Sequence, residues 1–335
     1  MMQTRKLGFS SLDFTVVGLG AWAFGGSNWS YGWADQDDSE SVATILHALE
    51  LGINWIDTAP AYGYGHSEEI VGKALESTHG KPFIATKCGM KPAADGWNFD
   101  CILKAESIRQ EAEDSLKRLG VEVIDLYQIH KPFPDEDIEE AWGVVADLVK
   151  EGKVRYGGVS IFSVDQIKRC QAIHPVASYQ PPYSMLVRGV EDELLQYCAS
   201  SNIGVITYSP LRSGLLSGKL TRERLESMGK EDWRTHADPE FLGARLQINL
   251  DLVDKLRPIA GRLGCTLSQL AIAWVLRRPE VTAAIVGGRR PMQMDESIRA
   301  AGVALPVEVQ EEIAVLLAER DSQLIAAQEP LSLPW

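Results

Sequence analysis

Cysteine is scarce in this sequence and is not arranged for disulfide or metal chemistry. The 335 residues include five cysteines, an odd number, widely spread and never spaced as Cys-x-x-Cys. This pattern argues against a disulfide framework or a zinc knuckle and favours a reducing cytoplasm. Paired histidine or carboxylate ligand motifs are also absent, which argues against a metal-dependent hydrolase.

Positive charge and long apolar runs are lacking as well. With 33 Lys and Arg against 46 Asp and Glu, the net charge is −13. Such a surface repels phosphate backbones and anionic lipid, so we expect no nucleic acid and no membrane as partner. A local basic pocket for one small anion stays compatible with it. No apolar run approaches transmembrane length, and the N-terminal residues lack the apolar stretch of a signal peptide. We expect a cytoplasmic protein that is a monomer or a small homo-oligomer.

The chain does contain a regular alternation of short β-rich runs and amphipathic helical stretches. The predicted strands lie near 15–19, 53–58, 83–88, 123–130, 154–160, 177–181, 204–209 and 282–287. The predicted helices lie near 38–51, 67–77, 104–119, 135–150, 163–173, 190–201, 266–278 and 291–300. Ser163 with Gln166, and Thr266 with Gln269, have the spacing of capping boxes that start two of these helices.

Eight such units predict a single-domain (β/α)8 barrel, or TIM barrel, over residues 1–335. The segment 6–14 is expected to form a β-hairpin that caps the barrel floor. A long polar stretch near 212–243 follows the seventh strand, and loops of this length are usually functional or disordered. An extra helix is predicted near 306–319, before a proline-bearing tail.

A doubly wound fold is the alternative architecture. Gly18, Gly20 and Ala23 match the loose GxGxxA dinucleotide pattern after a strand. However, helical periodicity starts only near Asp37, and no acidic strand-end residue has the spacing that this fingerprint requires. The barrel is therefore the preferred interpretation.

Four polar residues capable of proton chemistry lie at or just after the ends of predicted strands. Asp57, Lys87 and His130 each follow an apolar run, and Tyr62 lies in the turn after Asp57. In a barrel all strands point the same way, so these ends converge on one face. Each residue alone has an ordinary alternative, as a turn cap, a surface tyrosine, a solvated lysine or a loop histidine. Their common placement favours one catalytic site.

The sequence around these residues resembles the aldo-keto reductase family. The segment 57–69, DTAPAYGYGHSEE, is similar to its second-strand signature. Lys87 in ATKCG and His130 in DLYQIH match the next two signatures, in order and with the expected gaps. The resemblance covers nearly the whole chain and lies closest to bacterial general stress and polyol or hydroxyaldehyde reductases. It implies a (β/α)8 barrel that reduces carbonyls with NADPH.

The resemblance also implies a role for each of the four residues. Tyr62 is the general acid, Lys87 and Asp57 tune it, and His130 orients the substrate. A tyrosine is a weak acid with a free pKa of about 10. A lysine ammonium beside Tyr62 is expected to pull that pKa down, while Asp57 keeps Lys87 charged.

A second group of residues is expected to bind the cofactor. After the last strand, two glycines and two arginines precede a helix N-terminus, which favours a phosphate. By resemblance this segment binds the adenosine 2′-phosphate of NADPH, and Glu296 contacts the adenine. Ser160 and Gln180 match positions that hold the carboxamide, although Ile161 replaces a frequent Asn. By resemblance, Tyr208 stacks on the nicotinamide ring, and a loop that begins near Arg212 covers the pyrophosphate. The remaining predicted cofactor residues are Tyr208, Ser209, Leu211, Arg212, Gly214, Gly287, Gly288, Arg289 and Gln293.

Aromatic residues after the first strand are candidates for the substrate pocket. Trp22 and Trp29, with Tyr31 and Trp33, either form an apolar wall at the barrel mouth or pack their own loop. The expected substrates are small aldehydes, hydroxyaldehydes or dicarbonyls, with reverse oxidation of polyols. A second hypothesis is a cofactor-sensing regulatory subunit resembling potassium-channel β subunits, which share the fold and the four residues.

Overall fold

The computed structural model describes residues 2–27, 29–32, 36–78, 80–95, 97–229, 232–236 and 238–331. The strands in these residues are β1 (Thr4–Lys6), β2 (Asp13–Thr15), β3 (Val17–Gly20), β4 (Trp55–Asp57), β5 (Phe83–Cys88), β6 (Met90–Pro92), β7 (Phe99–Cys101), β8 (Ile124–Ile129), β9 (Val154–Ser160), β10 (Ser178–Gln180), β11 (Gly204–Thr207) and β12 (Val281–Gly287). The α-helices are α1 (Asp38–Glu50), α2 (His66–Glu76), α3 (Ala105–Leu119), α4 (Ile138–Lys150), α5 (Val164–Gln171), α6 (Leu194–Ser200), α7 (Arg222–Glu226), α8 (Gly243–Arg262), α9 (Leu267–Leu276), α10 (Pro291–Ile298) and α11 (Val307–Ala326).

Eight strands close into a barrel in the order β10-β11-β12-β3-β4-β5-β8-β9. Every neighbouring pair is parallel. The (β/α)8 prediction is confirmed, and each predicted barrel strand overlaps an observed one. The doubly wound alternative is wrong because β3 lies between β12 and β4 in the closed barrel. Gly18 serves packing there, since a Cβ atom would lie 2.1 Å from the Trp55 indole.

The floor of the barrel is closed by the predicted N-terminal hairpin. β1 and β2 pair antiparallel, and Leu7, Leu12 and Phe14 between and within them are fully buried. Phe14 stacks on Trp55 with ring centroids 4.5 Å apart. Each such apolar side chain stabilises the fold by about 1.5–3 kcal/mol. Because the floor is sealed in this way, the open end of the barrel is the one formed by the strand C-termini.

Local capping signals place several helices where the sequence predicts them. Ser163 and Gln166 form a reciprocal capping box at α5, as do Thr266 and Gln269 at α9. Pro291 is the first residue of α10, where its missing N–H costs nothing. The extra C-terminal helix α11 is present and runs farther than the predicted 306–319.

Three elements escaped sequence-based prediction. The β6–β7 hairpin follows β5, and α8 fills part of the chain with no predicted helix. The stretch near 212–243 contains α7 and short 3-10 turns as well as loop. In α8 the apolar stripe is interrupted because buried Asn249 donates to Glu240 and accepts from Arg320 of α11, at 2.7 Å each. Because polar residues lie on the buried face of α8, the sequence lacks the regular apolar spacing that would have predicted this helix.

No single helix among the described residues is long and apolar enough to cross a membrane. The pair α8 and α9 passes such a test only jointly, and the two helices are bent by 87°.

Candidate active site

The four strand-end residues come together at the open end of the barrel. β4 ends at Asp57, and Lys87 lies near the end of the adjacent β5. The Lys87 Nζ donates to Asp57 Oδ2 at 2.6 Å, to the Thr58 carbonyl at 2.9 Å and to Tyr62 Oη at 3.1 Å. All three donor positions of the ammonium are therefore occupied, and one of them points at the Tyr62 hydroxyl.

The Lys87–Asp57 pair is removed from solvent, with exposed fractions of 1% and 3%. Burial lowers the pKa of Lys87, but attraction to Asp57 and Tyr62 and their hydrogen bonds outweigh it, so the pKa is raised. Lys87 is consequently held as a cation. Breaking a buried pair of this kind leaves an uncompensated charge and typically costs about 3–5 kcal/mol.

Two opposing effects act on the pKa of Tyr62. Burial raises this pKa above 10.0, and Lys87 lowers it by a smaller amount. Lys87 therefore acts in the predicted direction, and burial outweighs its effect in the free protein. Tyr62 is a neutral phenol, which is the protonated form that a proton donor needs.

His130 completes the group directly after β8. Its ring meets that of Tyr62 edge to face, with centroids 5.9 Å apart. Burial and the nearby charges of Lys87 and Lys131 hold the pKa of His130 well below 6.5. The imidazole is therefore neutral near pH 7 and can donate only one hydrogen bond from its ring.

The second carboxylate oxygen of Asp57 is bound by two glutamines. Gln180 Nε2 donates to Asp57 Oδ1 at 2.8 Å, and Gln128 Nε2 lies 3.4 Å from the same oxygen. Gln180 Nε2 also approaches Gln128 Oε1 at 3.3 Å. The Ser160 hydroxyl donates to the Gln180 carbonyl at 2.8 Å. This amide network fixes the orientation of Asp57 from beneath the site.

A cavity of about 920 Å³ opens above these residues. Apart from Lys87, which lies beneath Tyr62, every predicted catalytic, cofactor and substrate residue lines it. They are Asp57, Tyr62, His130, Ser160, Gln180, Tyr208, Ser209, Leu211, Arg212, Gly214, Gly287, Gly288, Arg289, Gln293, Glu296, Trp22 and Trp29. The volume lies near the upper end of the usual range for small-molecule sites, about 300–1,000 Å³.

The basic end of the cavity lies at the N-terminus of α10. Gln293 Oε1 accepts from the backbone N–H groups of Arg289 and Arg290 at 2.7 and 3.1 Å. Arg289 Nε donates to Gln36 at 2.7 Å. These two N–H groups are thus already capped, so the guanidinium groups and the helix dipole are what this end offers to an anion.

The described residues of the stretch 212–243 line this end of the cavity, and we call them the clasp. Lys219 Nζ donates to Glu296 Oε2 of α10 at 2.7 Å. The Trp233 ring meets that of Trp22 edge to face at 6.1 Å, and Arg212 is paired with Asp238 at 3.0 Å. The first two contacts therefore join the clasp to the cavity walls at α10 and Trp22, while the Arg212–Asp238 pair lies within the clasp.

The opposite end of the cavity is aromatic. Trp29 is packed edge to face against Trp22, at 5.8 Å between ring centroids, and against Phe99 of β7, at 6.1 Å. Its ring centroid also lies 6.1 Å from that of Tyr62. Trp29 therefore both packs its loop and faces the site. The predicted contribution of Trp33 lies outside the described residues.

Comparison with known proteins identifies the family of this chain. The model of the Aldo/keto reductase family matches residues 16–318, which is most of the chain. The chain belongs to this family. Aldo-keto reductase YhdN of Bacillus subtilis is 38% identical over 322 residues, 94% of each chain. The NADH-specific methylglyoxal reductase of Escherichia coli is 34% identical over 91% of this chain and 95% of its own.

A solved structure of similar shape is the glycerol dehydrogenase AKR11B4 from Gluconobacter oxydans. It has a TM-score of 0.86 and 36% identity, covering 95% of each chain. The holo form of the aldo-keto reductase AKR11C1 from Bacillus halodurans has a TM-score of 0.77 and 27% identity, covering 94% of this chain and 96% of its own.

Several site residues of this aldo-keto reductase were missed in the sequence. Gln128 lies within a strand-like run, where an apolar side chain is expected. Phe99 belongs to the unpredicted β6–β7 hairpin, and Lys219 lies 77 residues from its partner Glu296. The DLYQIH signature contains Gln128 and offered the one usable signal.

The described residues contain no group of three or more His, Cys, Asp or Glu side chains placed to hold a metal ion.

Proposed function

We propose that this protein is an NADPH-dependent reductase of small aldehydes, hydroxyaldehydes or dicarbonyls. The observation that carries the proposal is the Lys87 ammonium, which donates to both Asp57 and Tyr62 Oη at the wall of the large cavity. An ordinary structural lysine does not need a phenol as its third partner. A tyrosine hydroxyl held by a lysine in this way can supply a proton to the oxygen of a bound carbonyl.

The residues around the carbonyl have distinct tasks. A bound nicotinamide dinucleotide would supply the hydride to the carbonyl carbon. Tyr62 holds the proton that the developing oxyanion takes from Oη, and Lys87 stabilises the phenolate left behind. Neutral His130 donates to the same oxygen and fixes its angle. Asp57 keeps Lys87 charged and in place.

The rest of the cavity fits a dinucleotide. Tyr208 and Gln180 lie near Tyr62, where a nicotinamide ring would stack and its carboxamide would bind. Since both Nε2 hydrogens of Gln180 point to Asp57 and Gln128, its Oε1 is the atom left for the carboxamide N–H. Arg289 and Arg290 would bind the 2′-phosphate, which is why we infer NADPH. A relative is named as NADH-specific, so the two nucleotides must be compared directly.

The names of the relatives suggest the substrate class. One is a methylglyoxal reductase and another a glycerol dehydrogenase, which covers a dicarbonyl and a polyol. For this chain we infer reversible chemistry on compounds of that size. We further infer a cytoplasmic protein, monomeric or a small homo-oligomer, with neither nucleic acid nor membrane as partner.

The decisive experiment follows nucleotide absorbance with purified protein, using methylglyoxal, glyceraldehyde and an aromatic aldehyde, with NADPH beside NADH. Turnover that favours NADPH supports the proposal. Tight NADPH binding without turnover of any carbonyl would instead favour a cofactor sensor. Binding of neither nucleotide would contradict the cofactor assignment.

The role of Tyr62 has its own test. Tyr62→Phe removes the proton donor but keeps the ring, so turnover should be lost while NADPH binding remains near normal. If the Phe variant keeps near-normal turnover, Tyr62 is not the acid.

A further inference from the structure

Lys131 is a cation in the cavity wall that the proposed chemistry does not use. It follows His130 directly, lines the cavity and lies close enough to Cys101 of β7 to lower its pKa. The charge of Lys131 acts inside the site, because it helps to lower the pKa of His130. It therefore lies close to the place where the substrate carbonyl must bind.

Other basic residues of the cavity wall differ from Lys131 in having protein partners. Lys219 is paired with Glu296, Arg212 with Asp238 and Arg234 with Asp232. No residue in the described part of the chain forms an ion pair or hydrogen bond with the Lys131 ammonium. On a protein with a net charge of −13, an unpaired cation beside the reacting centre is unusual.

The surroundings of Lys131 define what it can bind. Acidic side chains that line the cavity already have partners, namely Asp57, Asp238 and Glu296. Lys131 lies near Cys101, whose pKa its charge lowers, and Cys101 pairs with Met90 in the β6–β7 hairpin. The cavity wall formed by this hairpin is apolar and aromatic, since Phe99 packs against Trp29 and Tyr31. This wall accommodates a flat or apolar body, and the ammonium at its edge accommodates a negative charge.

We propose that Lys131 selects carbonyl substrates that carry an anionic group, with an apolar or aromatic spacer between that group and the carbonyl. The inference rests on the proposed reductase function and adds the substrate class. Attraction in a partly desolvated pocket, between an ammonium and a carboxylate, stabilises the bound substrate without taking part in proton transfer.

The test compares two aldehydes of matched shape, 4-carboxybenzaldehyde and 4-carbamoylbenzaldehyde, with NADPH. The native protein should have the larger kcat/KM for the carboxylate, mainly through a lower KM, and rising salt should reduce the advantage. In Lys131→Met the carboxylate-to-amide ratio of kcat/KM should fall about tenfold, since the loss of one such ion pair is worth roughly a factor of ten. Lys131→Arg should retain most of the ratio.

The control is Lys81→Met, which makes the same charge change at an exposed residue before β5, at the opposite end of the strand from Lys87. It should leave the ratio as in the native protein. An equal ratio in the native protein, Lys131→Met and Lys81→Met, with both aldehydes reduced, would overturn the role of Lys131 and leave the reductase function standing. Reduction of neither aldehyde, nor of methylglyoxal or glyceraldehyde, would overturn both.

Discussion

Gln180 Nε2 donates a hydrogen bond of 2.8 Å to Asp57 Oδ1, the carboxylate oxygen that Lys87 does not use. Asp57 is thereby bound on both oxygens, by a cation on one side and by amides on the other. The amide network joins the predicted nicotinamide pocket to the predicted proton donor. We therefore expect cofactor binding and proton transfer to depend on one set of hydrogen bonds.

This hydrogen-bond network points to Gln128 as a positioning residue. It is fully buried, approaches both Asp57 and Gln180, and does not line the cavity. Gln128→Met keeps the size but removes one hydrogen bond to the buried Asp57 carboxylate and one from Gln180. A hydrogen bond to a charged group is worth about 1.5–3 kcal/mol. We expect kcat to fall about tenfold or more, with a smaller change in substrate KM, in steady-state kinetics.

A neighbouring variant provides the control for Gln128→Met. Tyr127→Phe removes a buried hydroxyl that donates to the Ile108 carbonyl at 3.3 Å, on the opposite face of the same strand. It should reduce stability without lowering kcat to a similar extent. Equal effects of the two variants on kcat would mean that Gln128 acts only through folding.

The pKa directions of Tyr62 and His130 set the pH dependence of the reaction. If Tyr62 is the proton donor, as proposed, reduction needs it protonated, and burial raises its pKa above 10.0 despite the opposing effect of Lys87. His130, with a pKa well below 6.5, stays neutral above that pH. We expect kcat/KM for reduction to be flat from about pH 7 to 9.5 and to fall only above, while oxidation rises with pH. A rate profile that falls near pH 8 would contradict this assignment.

Arg289 and Arg290 should distinguish NADPH from NADH. If they bind the 2′-phosphate, the double variant Arg289→Ala/Arg290→Ala loses charge-assisted hydrogen bonds that NADH never makes. Its Kd for NADPH should rise about tenfold or more, with little change for NADH, by fluorescence titration. Arg299→Ala, an exposed arginine just beyond α10 that does not line the cavity, is the control. An equal loss for both nucleotides would place the arginines elsewhere on the cofactor.

The Lys219–Glu296 bridge is expected to slow nucleotide release. It joins the clasp to α10 at 2.7 Å, and Lys219 is 60% exposed. Exposed pairs are worth roughly 0.2–1 kcal/mol, so Lys219→Met should speed release of NADPH about two- to fivefold in stopped-flow measurements. Lys255→Met breaks a pair of similar length between α8 and α11, outside the cavity. Release that is as slow in Lys219→Met as in Lys255→Met would show that this bridge does not hold the clasp.

The sequence predicted the barrel and the position of Asp57, Tyr62, Lys87 and His130 because both follow from local patterns. Strand periodicity locates the strand ends, and parallel strands bring those ends together. The direction of the net pKa shift of Tyr62 could not be predicted from the sequence, because it depends on how completely the folded chain excludes water from the phenol. Lys219 was also missed, because its partner Glu296 lies 77 residues away and nothing local identifies the pair. Gln128 was missed although it lies within the DLYQIH signature, because its partners Asp57 and Gln180 are brought to it only by the fold.

Ile161 occupies a backbone conformation that its side chain disfavours. Its φ is +64°, in the left-handed region where a residue other than Gly or Asn costs about 1–2 kcal/mol and a β-branched residue is an outlier. It directly follows Ser160 in the wall of the cavity. A residue that tolerates this conformation should therefore relieve strain at the site.

Two substitutions separate this backbone effect from lost packing. Ile161→Ala and Ile161→Asn both remove the branched side chain, but only Asn readily adopts a positive φ. We expect the Asn variant to have the larger free energy of unfolding, by about 1 kcal/mol, in denaturant titrations. Because an Asn amide in this wall can also hydrogen-bond a bound carboxamide, its Kd for NADPH should be lower than that of the Ala variant. An Ala variant at least as stable as the Asn variant would show that no strain is stored at Ile161.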